Sequence, residues 1–213
     1  MSRAEERAVE RSTAVQRSRT RIENHVRAIL DAAHRLVETK GDAFTTQELA
    51  KEAGVALQTF YRYFSSKDEL LLAVIGDGLD DACRRWSVTA ETLAGPLERL
   101  RFFVTSPLAG LDREPRRHSL AQFIVSTHWQ LHRVFPTELA QAEQPLVDLL
   151  EKEIRAGVAA GLLTSTDTAE DAWFVTELVR SVYHHCAYTA GDTSDLQEQL
   201  WQFCLKALGG TAR

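Results

Sequence analysis

The chain has 213 residues, a formal net charge of -5 and 44% hydrophobic residues, enough for one or two domains with a sizeable core. Its 11 Gly and 5 Pro are sparse, Ala and Leu are abundant, and alternating β-branched runs are missing. That pattern excludes a β-sandwich or barrel and predicts an all-α fold.

The opening run MSRAEERAVERSTAVQRSRTR is charged and has no apolar segment, so a secretory signal is not expected. Within residues 1–20, Arg11, Arg17 and Arg19 sit among Ser, Thr and Gln, and Arg21 follows. Two readings are open: a frayed tail, or a basic arm that meets DNA. Glu5, Glu6 and Glu10 leave Arg17, Arg19 and Arg21 as the better arm candidates. From Arg21 to Lys40, Ile22, Val26, Ile29, Leu30, Ala33, Leu36 and Val37 recur at helical spacing, and Gly41 stops the helix. Phe44 then plugs a small three-helix core.

The stretch Thr45 to Lys67, TTQELAKEAGVALQTFYRYFSSK, has the densest signals. Thr45 caps a helix, with Glu48 three residues on as its reciprocal partner. Leu49, Ala50 and Ala53 form the apolar stripe, Gly54 ends the helix and Val55 plugs the turn. A second helix is expected from Ala56 to Tyr63. Phe60 and Phe64, four apart, point inward, while Gln58 and Arg62 fall on the opposite side. Ser66 and Glu69 repeat the capping pattern and start a third helix at Lys67. Two short helices joined by a tight turn, with one bare polar face, make a helix-turn-helix whose second helix fits a major groove.

This run resembles the DNA-binding motif of the TetR/AcrR family of bacterial transcriptional regulators. The matching pieces are Arg27-Ala28-Ile29-Leu30-Asp31-Ala32-Ala33, Lys40-Gly41, Thr46-Gln47-Glu48-Leu49-Ala50 and Ala53-Gly54-Val55. They continue through Thr59-Phe60-Tyr61-Arg62-Tyr63-Phe64 and Lys67-Asp68-Glu69-Leu70-Leu71. The resemblance covers roughly the first third of the chain. With residues 1–20 set apart as a flexible basic arm on their composition, it implies a helix-turn-helix DNA-binding domain over residues 21–67. Residues 68–213 would form a helical ligand-binding and dimerisation domain.

Residue roles derive from position. Gln47, in the first turn of the supporting helix, stands where this family reaches a base or a phosphate. Ala56 and Leu57 open the reading helix, and Ala56 offers no side-chain cap. Gln58 suits adenine and Leu57 a thymine methyl, although Leu57 is close enough to the buried face to be core. Thr46, Thr59, Tyr61, Tyr63 and Lys67 suit phosphate, which fixes register but carries no sequence information. Phe60 and Phe64 already fill the buried face, so Tyr61 is expected outside; Tyr63 remains open between core and phosphate. Arg62 reaches a guanine edge or the backbone. Through Lys67 there are 12 Lys and Arg against 9 Asp and Glu, and beyond it 13 against 21. This split orients a chain toward phosphate without coating it in positive charge.

A helix from Lys67 to about Trp86 buries Leu70, Leu71, Val74, Ile75, Leu79 and Ala82. The resemblance makes it the element that couples a small molecule to the spacing of two reading heads. Gly76 and Gly78 weaken it. After Ala94-Gly95-Pro96, Leu97, Leu100 and Val104 mark a helix that Pro107 ends, and Leu111 to Pro115 connect onward. Leu120, Phe123, Ile124, Thr127 and Leu131 mark the next, ending near Phe135-Pro136. Leu139 falls in a short turn that Pro145 interrupts, before a longer helix with Leu146, Leu149, Leu150, Ile154 and Val158 runs to Gly161. By resemblance this body holds an apolar effector in a cavity, with Phe102, Phe103, Phe123, His128, Trp129 and Trp173 as its candidate lining. Ordinary core is the competing reading for each.

Asp167 caps a helix that is apolar on two faces, Ala172-Val175-Val179-Val182-Cys186 and Phe174-Leu178-Ser181-His185-Tyr188. After Gly191, Leu196, Leu200, Phe203, Cys204, Ala207 and Leu208 repeat the pattern. Helices apolar on two sides need two partners, so one side is assigned to a second copy across a four-helix interface. Val175, Val179, Val182, Leu200, Phe203 and Cys204 are its expected residues, with Arg180 and Glu177 at its rim. Such a homodimer would place two heads on a palindromic operator.

Other chemistry is weaker. His128 and His132 have chelating spacing but no third ligand, and His184, His185 and Cys186 project in different directions, so no metal or cofactor is expected. Cys83, Cys186 and Cys204 are an odd set without metal-like spacing, which fits a reduced cytoplasm. No nucleophile elbow or phosphate loop appears, and no stretch reaches membrane-spanning length, so neither an enzyme nor a membrane protein is expected. The leading expectation is a dimeric repressor released from DNA by a small hydrophobic effector. The alternatives are a helical carrier or enzyme without DNA binding, and a DNA binder without a ligand.

Overall fold

A computed structural model describes residues 3–109, 111, 115–189 and 193–211, with side chains from Val15 onward except at positions 115 and 116. Among the described residues there is no strand, in agreement with the all-α expectation. The helices are α1 (Arg3–Lys40), α2 (Thr46–Glu52), α3 (Leu57–Tyr63), α4 (Lys67–Ala90), α5 (Pro96–Thr105), α6 (Pro115–Val134), α7 (Pro136–Ala159), α8 (Thr168–Cys186) and α9 (Ser194–Ala207). A 3-10 turn, Ser106–Leu108, follows α5. None of the described helices is long and apolar enough to cross a membrane. The chain divides into two compact units, one up to Val74 and one from Ile75, and α4 is continuous across that boundary.

In the first unit the core is Ile29, Ala32, Ala33, Leu36 and Val37 of α1, Phe44, Leu49 and Ala50 of α2, Phe60 and Phe64, and Leu70, Leu71 and Val74 of α4. The expected capping box is present: Thr45 Oγ1 accepts from the Glu48 N–H at 3.1 Å, and Glu48 Oε2 accepts from the Thr45 N–H at 2.8 Å. Gly54, at φ +66°, takes the left-handed turn between α2 and α3, where a Cβ would be strained. The second cap differs from expectation. Ser66 Oγ accepts from the Glu69 N–H, but Glu69 Oε2 accepts from the backbone and hydroxyl of Ser65, one residue earlier. Helix α1 begins at Arg3 rather than near Arg21, so the backbone of residues 3–20 of the expected arm is part of it.

In the second unit α7 packs on α5 and α8, and α5 on α9. Leu100, Phe103, Val104, Leu150, Ile154, Val175, Val179, Trp201 and Cys204 form its centre. Helix α7 runs unbroken through Pro145, where the sequence suggested an interruption. Proline removes one helical N–H donor, but Leu139 before it and Leu146 and Leu150 after it are buried. Gly76 of α4 lies where an added Cβ would come within 3.3 Å of Ala142 Cβ, so a close helix approach uses that glycine. The three cysteines are buried and none of them forms a disulfide, and burial pushes the Cys83 and Cys204 thiols up to about 11. The connection through residues 112–114 and the stop at Gly191 lie outside the described residues.

The capping box has a testable electrostatic signature. A hydrogen bond from Lys40 at 2.6 Å and then those from Thr45 hold the Glu48 carboxyl down at about 2. A depressed carboxylate contributes stability that is complete above its ordinary value of 4.5 and disappears as the pH falls through about 2. The wild type is therefore expected to exceed Glu48→Gln in urea midpoint at neutral pH, with the gap closing on acidification across that window.

Candidate nucleic-acid interface

Seven residues of α3 are too few to be helical alone, so its conformation depends on Phe60 and Phe64. Phe60 is fully buried, and the two rings stack at 5.9 Å between centroids. With that side anchored, Gln58, Tyr61 and Arg62 are exposed, and Tyr61 keeps half of its surface in solvent. Ala56 and Gln47 are exposed as well, whereas Leu57, Thr59, Thr46 and Tyr63 are half-buried. Ala56 caps α3 without a side-chain hydrogen bond.

The polar groups of this face are held in place by one another. The Tyr61 hydroxyl lies 3.3 Å from Thr46 Oγ1, joining the two helices of the motif. Arg62 Nη2 donates to the Tyr63 hydroxyl oxygen at 2.9 Å, with its guanidinium carbon 4.8 Å above the Tyr63 ring. His25 Nδ1 of α1 meets the same hydroxyl at 3.2 Å. Tyr63 is thus neither core nor free surface but a bracket between α1 and the end of α3. His25 was not legible in the sequence, because its partner is 38 residues away and no local signal marks it. Lys67 donates to the Asp42 carbonyl and sits 4.6 Å above the Phe44 ring, so its ammonium serves the turn after α1 before any phosphate.

The expected effector lining is not brought together. Phe103, Phe123 and His128 are buried and Phe102 is half-buried, but Trp129 is 69% exposed and Trp173 50% exposed, which removes both from an enclosed site. Surface concavities of about 450 and 640 Å³ are lined by polar residues of α1 and by the first turns of α7, and neither includes these aromatics. Near His128 the structure shows an ionic cluster instead. Glu143 of α7 accepts from Arg180 Nη1 at 2.6 Å and lies 3.0 Å from His128 Nε2. Arg180 also pairs with Glu177, and the His184 ring meets His128 edge-on at 5.3 Å. Burial pushes the Glu143 carboxyl up, yet the bonds and charges of His128 and Arg180 outweigh it and hold the group below the ordinary range. Burial, then the neighbouring His128 and Arg180, push His184 down. Arg180 and Glu177, expected at an interface rim, are turned inward into this cluster. Beside it, Thr127 Oγ1 is buried without a hydrogen-bond partner.

The expected interface residues also need correcting. Val175, Val179, Leu200 and Cys204 are buried in the unit's own core, and Val182 is packed against it. Only Phe203, 63% exposed, faces outward. The exposed aromatics here are instead Trp173 and Phe174 of α8, Tyr188 just after it and Phe203 of α9, with Trp173 and Phe174 edge-to-face at 5.0 Å. Periodicity identified two apolar faces on α8; packing assigned the β-branched one to the core.

Glu143→Gln keeps the shape of the cluster but removes the charge that Arg180 and His128 share. It is expected to cost about 2 kcal/mol or more in equilibrium unfolding at neutral pH. The difference should shrink in acid, as the wild-type carboxylate takes up a proton.

The family model for bacterial regulatory proteins of the tetR family matches residues 29–74. Over 156 residues the chain is 29% identical to the HTH-type transcriptional repressor KstR of Mycobacterium tuberculosis, covering 73% of this chain and 66% of that protein. It is also 29% identical to the HTH-type transcriptional regulator HbdR of Aromatoleum sp. over 143 residues, or 67% and 61% of the two chains. The matches thus span just under two thirds of these curated relatives. Among solved structures, FadR of Bacillus subtilis in complex with stearoyl-CoA superposes with a TM-score of 0.69 at 17% identity, covering 87% of this chain and 98% of that one. RolR in complex with resorcinol gives 0.71 at 16% identity, with 91% of each chain covered. These likenesses establish the fold.

Proposed function

This chain belongs to the tetR family of bacterial regulatory proteins, and we propose that it is a DNA-binding repressor that acts as a homodimer and responds to a small apolar effector. The observation that carries the reading is the division of α3, with Phe60 and Phe64 buried while Gln58, Tyr61 and Arg62 of the same helix stay exposed. A carrier or enzyme gains nothing from a bare face of that composition. Gln58 can pair with adenine through its amide, and Arg62 can donate to guanine or to phosphate. Tyr61, Thr46 and Thr59 would hold the register on the backbone, with Gln47 and Leu57 at the edge of the base contacts.

One head reads too few base pairs for a specific site, so two related by a two-fold axis are required. Trp173, Phe174, Tyr188 and Phe203 are exposed aromatics of the kind enriched in protein interfaces, and we assign them to contacts with a second copy. The effector would enter the second unit, and the buried, unpaired Thr127 hydroxyl supports a polar contact there, although no cavity lined by Phe102, Phe103, Phe123 and His128 is formed among the described residues. The similar solved structures that hold stearoyl-CoA or resorcinol support a ligand with an acyl chain or an aromatic ring. Its effect would be a population shift: a form that holds the ligand better has a head spacing that fits successive grooves worse.

Selection of bound sequences from random duplex at two salt concentrations tests the whole reading, and recovery of a two-fold symmetric site is expected. On that site Tyr61→Ala should weaken operator and random duplex alike. Gln58→Ala should relax discrimination mainly at one base position, by about ten-fold. Equal losses on both duplexes for both variants would contradict this division of roles.

Phe203→Glu is expected to convert a dimer into a monomer in sedimentation experiments with helix content unchanged. The same substitution at buried Val179 should unfold the chain. A wild type that sediments as a monomer at all concentrations would overturn the interface.

A further inference from the structure

Three histidines from two helices meet beside the ionic cluster of the second unit. His128 and His132 of α6 stack with ring centroids 6.2 Å apart, and His184 of α8 meets His128 edge-on at 5.3 Å. His128 is buried, His184 half-buried and His132 exposed. The charged groups that act on His184 are His128 of α6, Glu143 of α7, and Arg180 and Glu177 of its own helix. Helix α5 also packs on α8, but its Arg99 and Arg101 are engaged by Glu153 and Glu198, and its Glu98 is exposed. The 3-10 turn that packs there, Ser106–Leu108, has no titratable side chain.

Both carboxylates of the cluster are already engaged. Glu143 serves Arg180 with one oxygen and His128 with the other, and Glu177 pairs with Arg180. A proton added to His184 therefore sets a new cation beside Arg180 and His128. Burial first, and then those two neighbours, hold its imidazole below the ordinary value of 6.5. Stability from this group is complete above 6.5, where the folded and unfolded chains both carry it neutral. It falls with pH below that value, as the unfolded chain takes up the proton more readily.

The same groups join three helices, His128 on α6, Glu143 on α7 and Arg180 on α8. The residue before Glu143 has another task. Ala142 lies where Gly76 of α4 leaves room, since a Cβ on that glycine would come within 3.3 Å of Ala142 Cβ. Consecutive helical positions point in different directions, so α7 meets α4 with one residue and the cluster with the next. Helix α4 continues back to Lys67, in the unit that carries α3. Close-packed interiors pass on small shifts rather than absorbing them.

We propose that His184 is a proton-sensitive catch: in a mildly acidic medium its imidazole is protonated, the cluster of α6, α7 and α8 loosens, and operator binding weakens. The effect on DNA rests on the reading of α3 as the base-contacting helix, whereas the loosening of the cluster does not. General electrostatics have the opposite sign. A chain of net charge -5 becomes less negative in acid, and its hold on any duplex tightens.

The test compares the full-length wild type, His184→Gln and His25→Gln from about pH 7.5 to about pH 5.5, by urea unfolding and by affinity for the selected duplex. His25 is included because it touches Tyr63 beside the reading face. The wild type is expected to lose about five-fold in operator affinity across that range, while random duplex is held as well or better. His184→Gln should show no such loss, and its urea midpoint should fall less than that of the wild type below pH 6.5. His25→Gln should retain the wild-type response relative to its own affinity at neutral pH. His184→Asn is carried in parallel, so that poor packing of one amide does not decide the result.

Parallel curves for the wild type and both His184 variants, in affinity and in urea midpoint, overturn the catch. A response that is lost in His25→Gln and kept in the His184 variants moves the proton to the reading face and also overturns it. A difference in urea midpoint without a change in operator affinity overturns the link to α4. A wild type that binds no duplex at neutral pH overturns the reading of α3, and a urea midpoint that still depends on His184 would leave the loosening of the cluster in place.

Discussion

The burial of Phe60 is the constraint on which the rest depends. A seven-residue helix has too few internal hydrogen bonds to offset its nucleation cost, so α3 is helical only because its inner side is anchored. Phe60 and Phe64 provide that anchor, against the core formed by α1, α2 and the start of α4. Once the inner side is fixed, the helical period dictates what the outer side presents. Gln58, Tyr61 and Arg62 are therefore displayed rather than merely exposed, and contacts with Thr46 and with the His25-bound Tyr63 restrict Tyr61 and Arg62 further. Preorganisation of this kind lowers the entropy lost when a ligand is bound.

The second unit solves a different problem with the same material. Its core is larger, and it accommodates a charged cluster at the junction of α6, α7 and α8. Glu143 is satisfied on both oxygens, by His128 and by Arg180, and Arg180 is shared with Glu177. A cluster so fully paired rigidifies the helices it joins, and removing one member leaves the others buried and uncompensated. Thr127 breaks the pattern, since its buried hydroxyl finds no partner one residue from His128. The nearby aromatic side chains are divided between core and solvent, so polar chemistry rather than an aromatic cage distinguishes this region.

Sequence signals were most legible where cause and effect lie a few residues apart. The capping box of Thr45 and Glu48, the turn at Gly54, the inward Phe60 and Phe64 and the cap at Asp167 all operate within one or two helical turns. Errors arose where two answers share the same local pattern. A proline inside a helix often breaks it, but α7 continues through Pro145 because both of its halves bury leucines in one core. Ser65 and Ser66 are both capable of serving Glu69, and the backbone geometry divides the task between them. On α8 the period of 3.6 identified two apolar faces without ranking them.

By itself the sequence determined the helical class, the helix-turn-helix and the outward placement of Gln58, Tyr61 and Arg62, because hydrophobic period and capping are short-range properties of the chain. Only the tertiary structure decided which face of α8 became core, that Trp129 and Trp173 point to solvent, and that Arg180 turns inward. It also joined His25 to Tyr63 and Arg180 to Glu143, pairs separated by 38 and 37 residues. Helical periodicity fixes directions around one axis. The azimuth at which two helices meet depends on every side chain packed between them, and no local stretch of sequence contains that information.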